Sequence, residues 1–308
     1  MDDAEGRSSA HRILVLGGMG MLGHRLVRDL CERFAVAATV RDTGPDLMRW
    51  PPIQESAEVV GGVDAIDIAT VVHSLDTVKP DVVINCIGIV KQSPTAADPI
   101  ASIRINSLFP HRLSALCAER QNRLIHISTD CVFSGASGNS SETDNPDPVD
   151  LYGRSKLLGE VTGPGVLTVR TSMIGRELRG DSGLLEWFLS QHHTPVNGYT
   201  RAVFSGLTTA ALARVIADIV SEHPALEGLM HVASEPITKF DLLSMVNNAM
   251  GLGAEIQPVD EPVIDRSLDG SRFVAATGIR SPSWDKMIEE LANDPTPYDQ
   301  WRTQHGST

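Results

Sequence analysis

The chain of 308 residues predicts an α/β fold, a doubly wound parallel sheet with a smaller C-terminal lobe. Two observations carry this reading. Short apolar runs alternate with helical patterns through the first half, the mark of a parallel sheet covered on both faces. The first of these runs, HRILVL (11–16), opens into a glycine-rich turn, Gly17-Gly18-Met19-Gly20-Met21-Leu22-Gly23. HRLVRDLCERF, with helical periodicity, follows at once.

The other elements follow in order. Residues 34–40 read as a second strand ending at Arg41-Asp42, and 58–63 as a third leading to Asp64, with a helix over 68–78. Pro80-Asp81 introduces DVVINCIG (81–88), a strand closing on the small stretch Asn85 to Gly88. A helix is expected from about 99 to 120, then the strand RLIHIS (123–128) and a loop over 134–150. That loop is rich in Ser, Asn, Asp, Gly and Pro, the composition of an exposed connection. A helix start carrying Tyr152 and Lys156 comes next, and VLTVR (166–170) is another strand. The second half is less regular: 183–192, 208–221, 239–250 and 284–291 read as helical, and 229–233 as a returning strand. We divide the chain into 11–174 plus 205–233 for the sheet domain and 175–204 plus 234–293 for the smaller lobe. The tails are 1–10, polar and acidic, and 294–308, proline-punctuated and expected to clasp the surface or fray.

Composition limits the function. Apolar content of 42% and charged content of 21% suit a soluble globular protein, and no apolar run reaches bilayer-spanning length. The polar, acidic start is not a secretory signal. Four cysteines without CxxC spacing read as reduced thiols of a cytoplasmic protein. A net charge of −13 argues against nucleic acid. It leaves room for an anionic nucleotide, since local arginines override the global field. The ten histidines form no HExxH, and no transition metal is expected.

Strand, glycine turn and helix in that order suit a dinucleotide. Gly17 permits the tight turn, Gly20 lets backbone approach a pyrophosphate, and Gly23 lets the helix sit close to the sheet. The phosphates would rest on the helix N-terminus, at Met21 and Leu22. Tyr152 and Lys156, four residues apart on one helix, share a face. With three Tyr and five Lys in the chain, about 0.05 such pairs are expected by chance. A phenol beside an ammonium has its pKa lowered and can protonate the alkoxide formed when hydride reaches a carbonyl. Thr129 follows a strand, so its hydroxyl could face the crevice at the sheet's carboxyl edge or tie down its own turn. Arg41, at the end of the second strand, would accommodate a 2′-phosphate and tilts the choice toward NADPH. Asp42 beside it keeps NADH open.

These motifs resemble the extended short-chain dehydrogenase/reductase superfamily. Within it, HISTDCVFSG with DLYGRSKLLGE is similar to the dTDP-4-dehydrorhamnose reductase branch of sugar-nucleotide enzymes, over roughly 11–293. The resemblance implies a Rossmann-type doubly wound parallel sheet with a smaller C-terminal substrate lobe. It implies NADPH-dependent reduction of the C4 keto group of a nucleotide-linked 4-keto-6-deoxy sugar. Tyr152 would donate the proton, Thr129 orient the carbonyl with Ser128 in support, and Lys156 hold the nicotinamide ribose. Asp64 matches an adenine-binding position, Asn85, Cys86, Ile87 and Gly88 a passage for the cofactor, and Asn106 either a support for a relay water or a packing amide. For the substrate diphosphate we expect Arg266 first, with Arg176 and Arg201 as further candidates. After Asn85, CIGIVKQSPTAADP departs from the branch's pattern, and Lys91 is a replacement contact. The rivals are an epimerase on the same scaffold and a non-catalytic NADP-binding regulatory subunit. A 4,6-dehydratase is disfavoured because Asp130-Cys131, with no Glu, follows Thr129. No membrane or nucleic-acid partner is expected, and a homodimer is left open.

Overall fold

The structure, a computed structural model, describes residues 11–42, 57–191 and 194–305. Seven strands form the central sheet: β1 (Arg12–Leu16), β2 (Ala35–Thr39), β3 (Glu58–Val60), β4 (Val82–Asn85), β5 (Arg123–Ile127), β6 (Val166–Arg170) and β7 (Gly228–His231). Their order across the sheet is β7-β6-β5-β4-β1-β2-β3, and every neighbouring pair is parallel. The order reverses between β1 and β4, which leaves a crevice at the carboxyl edge where ligands bind in such sheets.

Continuous apolar strands are what a sheet buried on both faces requires. Ile13 and Val15 of β1 pack on one face with Ile84 and Ile125, against helices that include α1 (Met21–Leu30). Leu14 and Leu16 face the other way, with Val83, Leu124, and Val71 and Leu75 of α2 (Ile68–Val78). Among the described residues no helix is long and apolar enough to cross a membrane, and no disulfide is formed.

The helix expected over 99–120 is interrupted. A single turn, Pro99–Ser102, passes into a π-helical stretch, Ile103–Leu108, before α3 (Phe109–Arg120) continues. The Phe109 N–H accordingly donates to the carbonyl of Arg104, five residues back. Periodicity in sequence cannot show a one-residue bulge, because it shifts the pattern by less than the tolerance of the signal. Packed against this stretch is α4 (Leu151–Leu158), which carries Tyr152 and Lys156 and ends at Gly159.

Beyond β6 the chain builds smaller pieces. Ala202–Phe204 lies between Ile237–Thr238, antiparallel, and Ile264–Asp265, parallel. Val196–Tyr199 pairs in parallel with Ile256–Val259. Helices Leu184–Ser190, Thr209–Glu222 and Lys239–Met250 fall within the expected windows to one or two residues, and residue 192 lies outside the described residues. The N-terminal tail 1–10 also lies outside them. Within the C-terminal segment, Tyr298–His305 is helical and Tyr298 is buried.

At Gly159 a Cβ would stand 1.8 Å from the carbonyl oxygen of Asn106. Gly159→Ala should therefore push α4 off the π-helical stretch. Overpacking of this kind costs roughly 1–3 kcal/mol, read as a lower denaturant midpoint at unchanged slope. A midpoint equal to wild type would show that the two backbones are not in contact.

Candidate active site

The glycine turn comes first along the chain. Gly17 adopts φ 83°, a conformation only glycine takes freely. A Cβ on Gly23 would lie 2.0 Å from the Gly17 carbonyl, so the helix can start this close to β1 only without a side chain there. Gly20 is the N-cap of α1 and offers no side chain to satisfy the first backbone N–H groups. Those donors face a cavity of about 670 Å³ lined by Gly20, Met21 and Leu22 on one side and Cys86, Ile87 and Gly88 on the next strand end. An uncapped ten-residue helix opening on a glycine-lined cavity fits a pyrophosphate.

The same cavity takes in Ser128, Thr129, Tyr152 and Lys156, and further round Lys91 and Arg266. Each is held by its own contacts. Thr129 donates from Oγ1 to Asp130 Oδ1 at 3.1 Å and accepts from the Cys131 N–H at 3.1 Å. Ser128 donates to Glu160 Oε1 at 2.7 Å. Glu160 is in turn gripped by Arg170, at 2.8 and 2.7 Å to its two oxygens. Lys156 donates to the carbonyl of Ile127 at 2.7 Å, across the end of β5. Lys91 pairs with Asp150 at 2.8 Å, and Asp150 caps α4 by accepting from the Gly153 N–H. Arg266 donates from Nε to the Phe133 carbonyl at 3.0 Å.

The electrostatics correct one expectation. Lys156 does not lower the Tyr152 phenol. Burial dominates and raises it, and contact with Thr129 only pulls it part of the way back. Desolvation outweighs a nearby cation whose hydrogen bond goes to a backbone carbonyl. Tyr152 therefore keeps its proton at neutral pH. Burial also lowers Lys156 to about 8, against the pull of Glu160. Cys86 and Cys131, on the cavity wall, are pushed up to about 12 by burial, which leaves them inert as nucleophiles.

Other expected site residues lie elsewhere. Arg176 does not reach this cavity. It is bonded to Glu186 (2.6 Å) and Asp299 and stacks on Tyr298. Arg201 is exposed in the turn before Ala202–Phe204 and does not line the cavity. Asp64 turns its carboxylate onto its own loop, accepting from the Ile66 N–H at 2.9 Å. Arg41 is exposed just past β2, at the carboxyl edge but outside the cavity lining. Asn85 is fully buried and works behind the wall, accepting from the Ile87 N–H (3.1 Å) and pairing with His126 (3.1 Å). Asn106 spends its amide on both backbone groups of Ile89, at 2.8 and 3.0 Å, and on Ser155. It is a clamp between Ile89, past the end of β4, and α4.

Asp130 and Lys239 are charged residues of the wall that the sequence does not single out. Asp130, buried beside Thr129, has its carboxyl pKa raised by burial, with Lys239 and Arg266 opposing. Lys239 opens the helix Lys239–Met250, and its ammonium stands 3.7 Å from the centre of the Phe204 ring. Asp130 stands next to Thr129 in sequence, but its burial is not a local property of the chain. Nothing in the ITKF segment marks Lys239, which the fold brings to the cavity from 110 residues beyond Thr129.

Comparison with known proteins agrees with this geometry. The family model described as RmlD substrate binding domain matches residues 11–296. A relative from Haloferax volcanii, named probable low-salt glycan biosynthesis reductase Agl14, is 33% identical over 234 residues, 72% of this chain and 74% of that one. The mouse protein named methionine adenosyltransferase 2 subunit beta is 24% identical, covering 91% of this chain and 90% of its own. Among solved structures, a hypothetical dTDP-4-dehydrorhamnose reductase from Sulfolobus tokodaii superposes with a TM-score of 0.74 at 26% identity, over 89% of this chain and 98% of that one. The chain belongs to the RmlD substrate-binding domain family, the branch of the extended short-chain dehydrogenase/reductases that its motifs resemble.

Proposed function

We propose that the protein is an NADPH-dependent reductase of the C4 keto group of a nucleotide-linked 4-keto-6-deoxy sugar. The observation that carries this is the convergence of Thr129, Tyr152 and Lys156 on one cavity with the uncapped start of α1 and the Cys86-Gly88 strand end. Relatives named dTDP-4-keto-6-deoxy-D-glucose reductase and dTDP-4-dehydrorhamnose reductase, each 32% identical over about half the chain, support the substrate class. A Bacillus anthracis dTDP-4-dehydrorhamnose reductase of the same fold is known with NADP.

When bound, the reduced dinucleotide supplies hydride. Met21 and Leu22 would offer backbone donors to its pyrophosphate, and Lys156 would hold a ribose hydroxyl with the protons not given to Ile127. Thr129 presents a hydroxyl to the substrate carbonyl. Tyr152, protonated at neutral pH because it is buried, delivers its proton to the oxygen as charge builds there. Arg266, Lys239 and Lys91 give the substrate's anionic portion a cationic wall in a chain of net charge −13. A second reading, a dinucleotide-binding subunit of another enzyme, is favoured by the relation to methionine adenosyltransferase 2 subunit beta. Turnover separates the two.

The purified protein should oxidise NADPH when given a dTDP-linked 4-keto-6-deoxy sugar. Tyr152→Phe should lower kcat by roughly 10²–10⁴, the usual contribution of a positioned general acid, with NADPH affinity retained. Absence of turnover across a panel of such sugars would remove the reductase reading.

Arg41 generates a separate expectation. Wild type should prefer NADPH, and Arg41→Ala should lose about one to two decades of that preference in kcat/KM, the worth of one charged contact to phosphate. Equal efficiency with NADH and NADPH in wild type would refute it.

Lys156 predicts a pH dependence of stability in the ligand-free protein. Its folded pKa of about 8 lies below the ordinary lysine value, so between pH 8 and about 10.4 the unfolded chain holds a proton that the native state has lost. Stability contributed by this residue therefore rises with pH across that window. Denaturant titrations should show wild type gaining on Lys156→Met from pH 8 to 10. A difference that does not change with pH would mean the ammonium is better solvated than its burial implies.

A further inference from the structure

The C-terminal segment, from Asp294 to Arg302, reaches the dinucleotide end of the cavity from outside it and grips two of its walls. Asp294 takes Arg25 and, at 3.1 Å, Arg28 of α1, and Thr296 takes Arg28 as well. Tyr298, 3% exposed, places its hydroxyl 2.9 Å from His24 Nε2 and its ring edge-on to the imidazole. The other ring nitrogen of His24 lies 2.8 Å from the carbonyl oxygen of Gly20, the residue that caps α1 where the pyrophosphate would rest. A carbonyl only accepts, so Nδ1 carries the proton. In a neutral imidazole Nε2 is then the acceptor, and the Tyr298 hydroxyl donates to it. Burial lowers the His24 pKa to about 4, which keeps the ring neutral under ordinary conditions. The chain Tyr298 to His24 to Gly20 has one direction and no slack.

The second grip is on residues 177–183. Arg302 donates to the Glu177 carbonyl at 2.8 Å. Glu177 accepts the Gly183 N–H at 2.8 Å, and a Cβ on Gly183 would meet the Met21 side chain at 2.5 Å. Glu177, Gly183 and Met21 all line the cavity. Asp299 adds a contact to Arg176, which also bonds Glu186.

We propose that Tyr298 and Arg302 are positioning residues for the dinucleotide, and that the C-terminal segment acts as a strap setting the separation between the Gly20 turn and residues 177–183. This rests on the reading of the cavity as a dinucleotide site. The strap touches neither the reacting groups nor the cavity interior, so it acts on affinity and leaves the chemical step alone. Linkage makes the effect reciprocal: whatever factor the docked strap adds to dinucleotide affinity, the dinucleotide adds to docking of the strap.

The test uses the full chain. NADPH is titrated by its own fluorescence into wild type, Tyr298→Phe and Arg302→Met at a temperature well below each melting point. Tyr298→Phe should raise the Kd for NADPH by about five- to tenfold, the worth of one buried neutral hydrogen bond, with kcat at saturating NADPH close to wild type. Arg302→Met should act in the same direction. Amide exchange of wild type with and without NADPH gives a second readout that needs no variant to fold: exchange over 298–302 should slow when NADPH is present. A purely structural role would lower the melting temperature and leave both readouts unchanged. Wild type that binds no dinucleotide would overturn the functional reading, and this inference with it. Wild type that binds NADPH, with Kd within twofold in both variants or with exchange of the strap unaffected by NADPH, would overturn the strap alone.

Discussion

A single hydrogen bond organises the site: the Lys156 ammonium donating to the Ile127 carbonyl at the last residue of β5. A buried ammonium is expensive unless its donors are taken up, and this carbonyl, on the last residue of its strand, takes one of them. Satisfying the lysine draws α4 down onto the carboxyl end of β5. Thr129, two residues after that carbonyl, then shares a wall with Tyr152, one turn before the lysine. Proximity of the Tyr152 phenol and the Thr129 hydroxyl is thus a by-product of solvating one charge.

The rest of the neighbourhood keeps that arrangement from relaxing. Glu160, one turn after Lys156, receives Ser128 and both prongs of Arg170, so the far end of the helix is bound to the ends of β5 and β6 as well. Arg170 continues to His231 on β7, and His231 to the carbonyl of Ser140 in the long loop. The guanidinium also lies 5.2 Å from the centre of the Phe133 ring. A planar cation with several donors is suited to a junction of this kind, whereas a lysine could serve only one partner at a time. Each partner belongs to a different strand end or loop, so the carboxyl edge of the sheet is tied together as one polar layer.

How much of this was written in the chain divides by distance along it. The glycine turn, the strand ends, and the Thr129, Tyr152 and Lys156 set are legible because each rests on local geometry: a positive φ, a sheet edge, a four-residue helical step. Arg176 was misplaced because a guanidinium's partner is not a local property. Its carboxylates are Glu186 and Asp299, the second 123 residues away. Asp64 looked like a ligand residue at a strand end, yet a carboxylate there is equally suited to its own turn, and that is what it does. The C-terminal residues read as a tail because one proline-broken segment shows no amphipathic stripe, while Asp294, Thr296 and Tyr298 each find a side chain of α1. The shift of Tyr152 was wrong in sign because sequence reveals a neighbouring charge but not the loss of water around the phenol.

The ion pair between Lys91 and Asp150 has a wider meaning. Lys91 belongs to the stretch CIGIVKQSPTAADP after β4, and Asp150 is the N-cap of α4, the helix that carries Tyr152. Variation in the loop is therefore transmitted to the first turn of that helix. The two contacts use different oxygens of Asp150, so a loop altered to lose Lys91 leaves a carboxylate without this cation at the first turn of α4. Loops transplanted from relatives onto this scaffold would carry that debt with them, and the partner at position 150 is the first place to look for compensation.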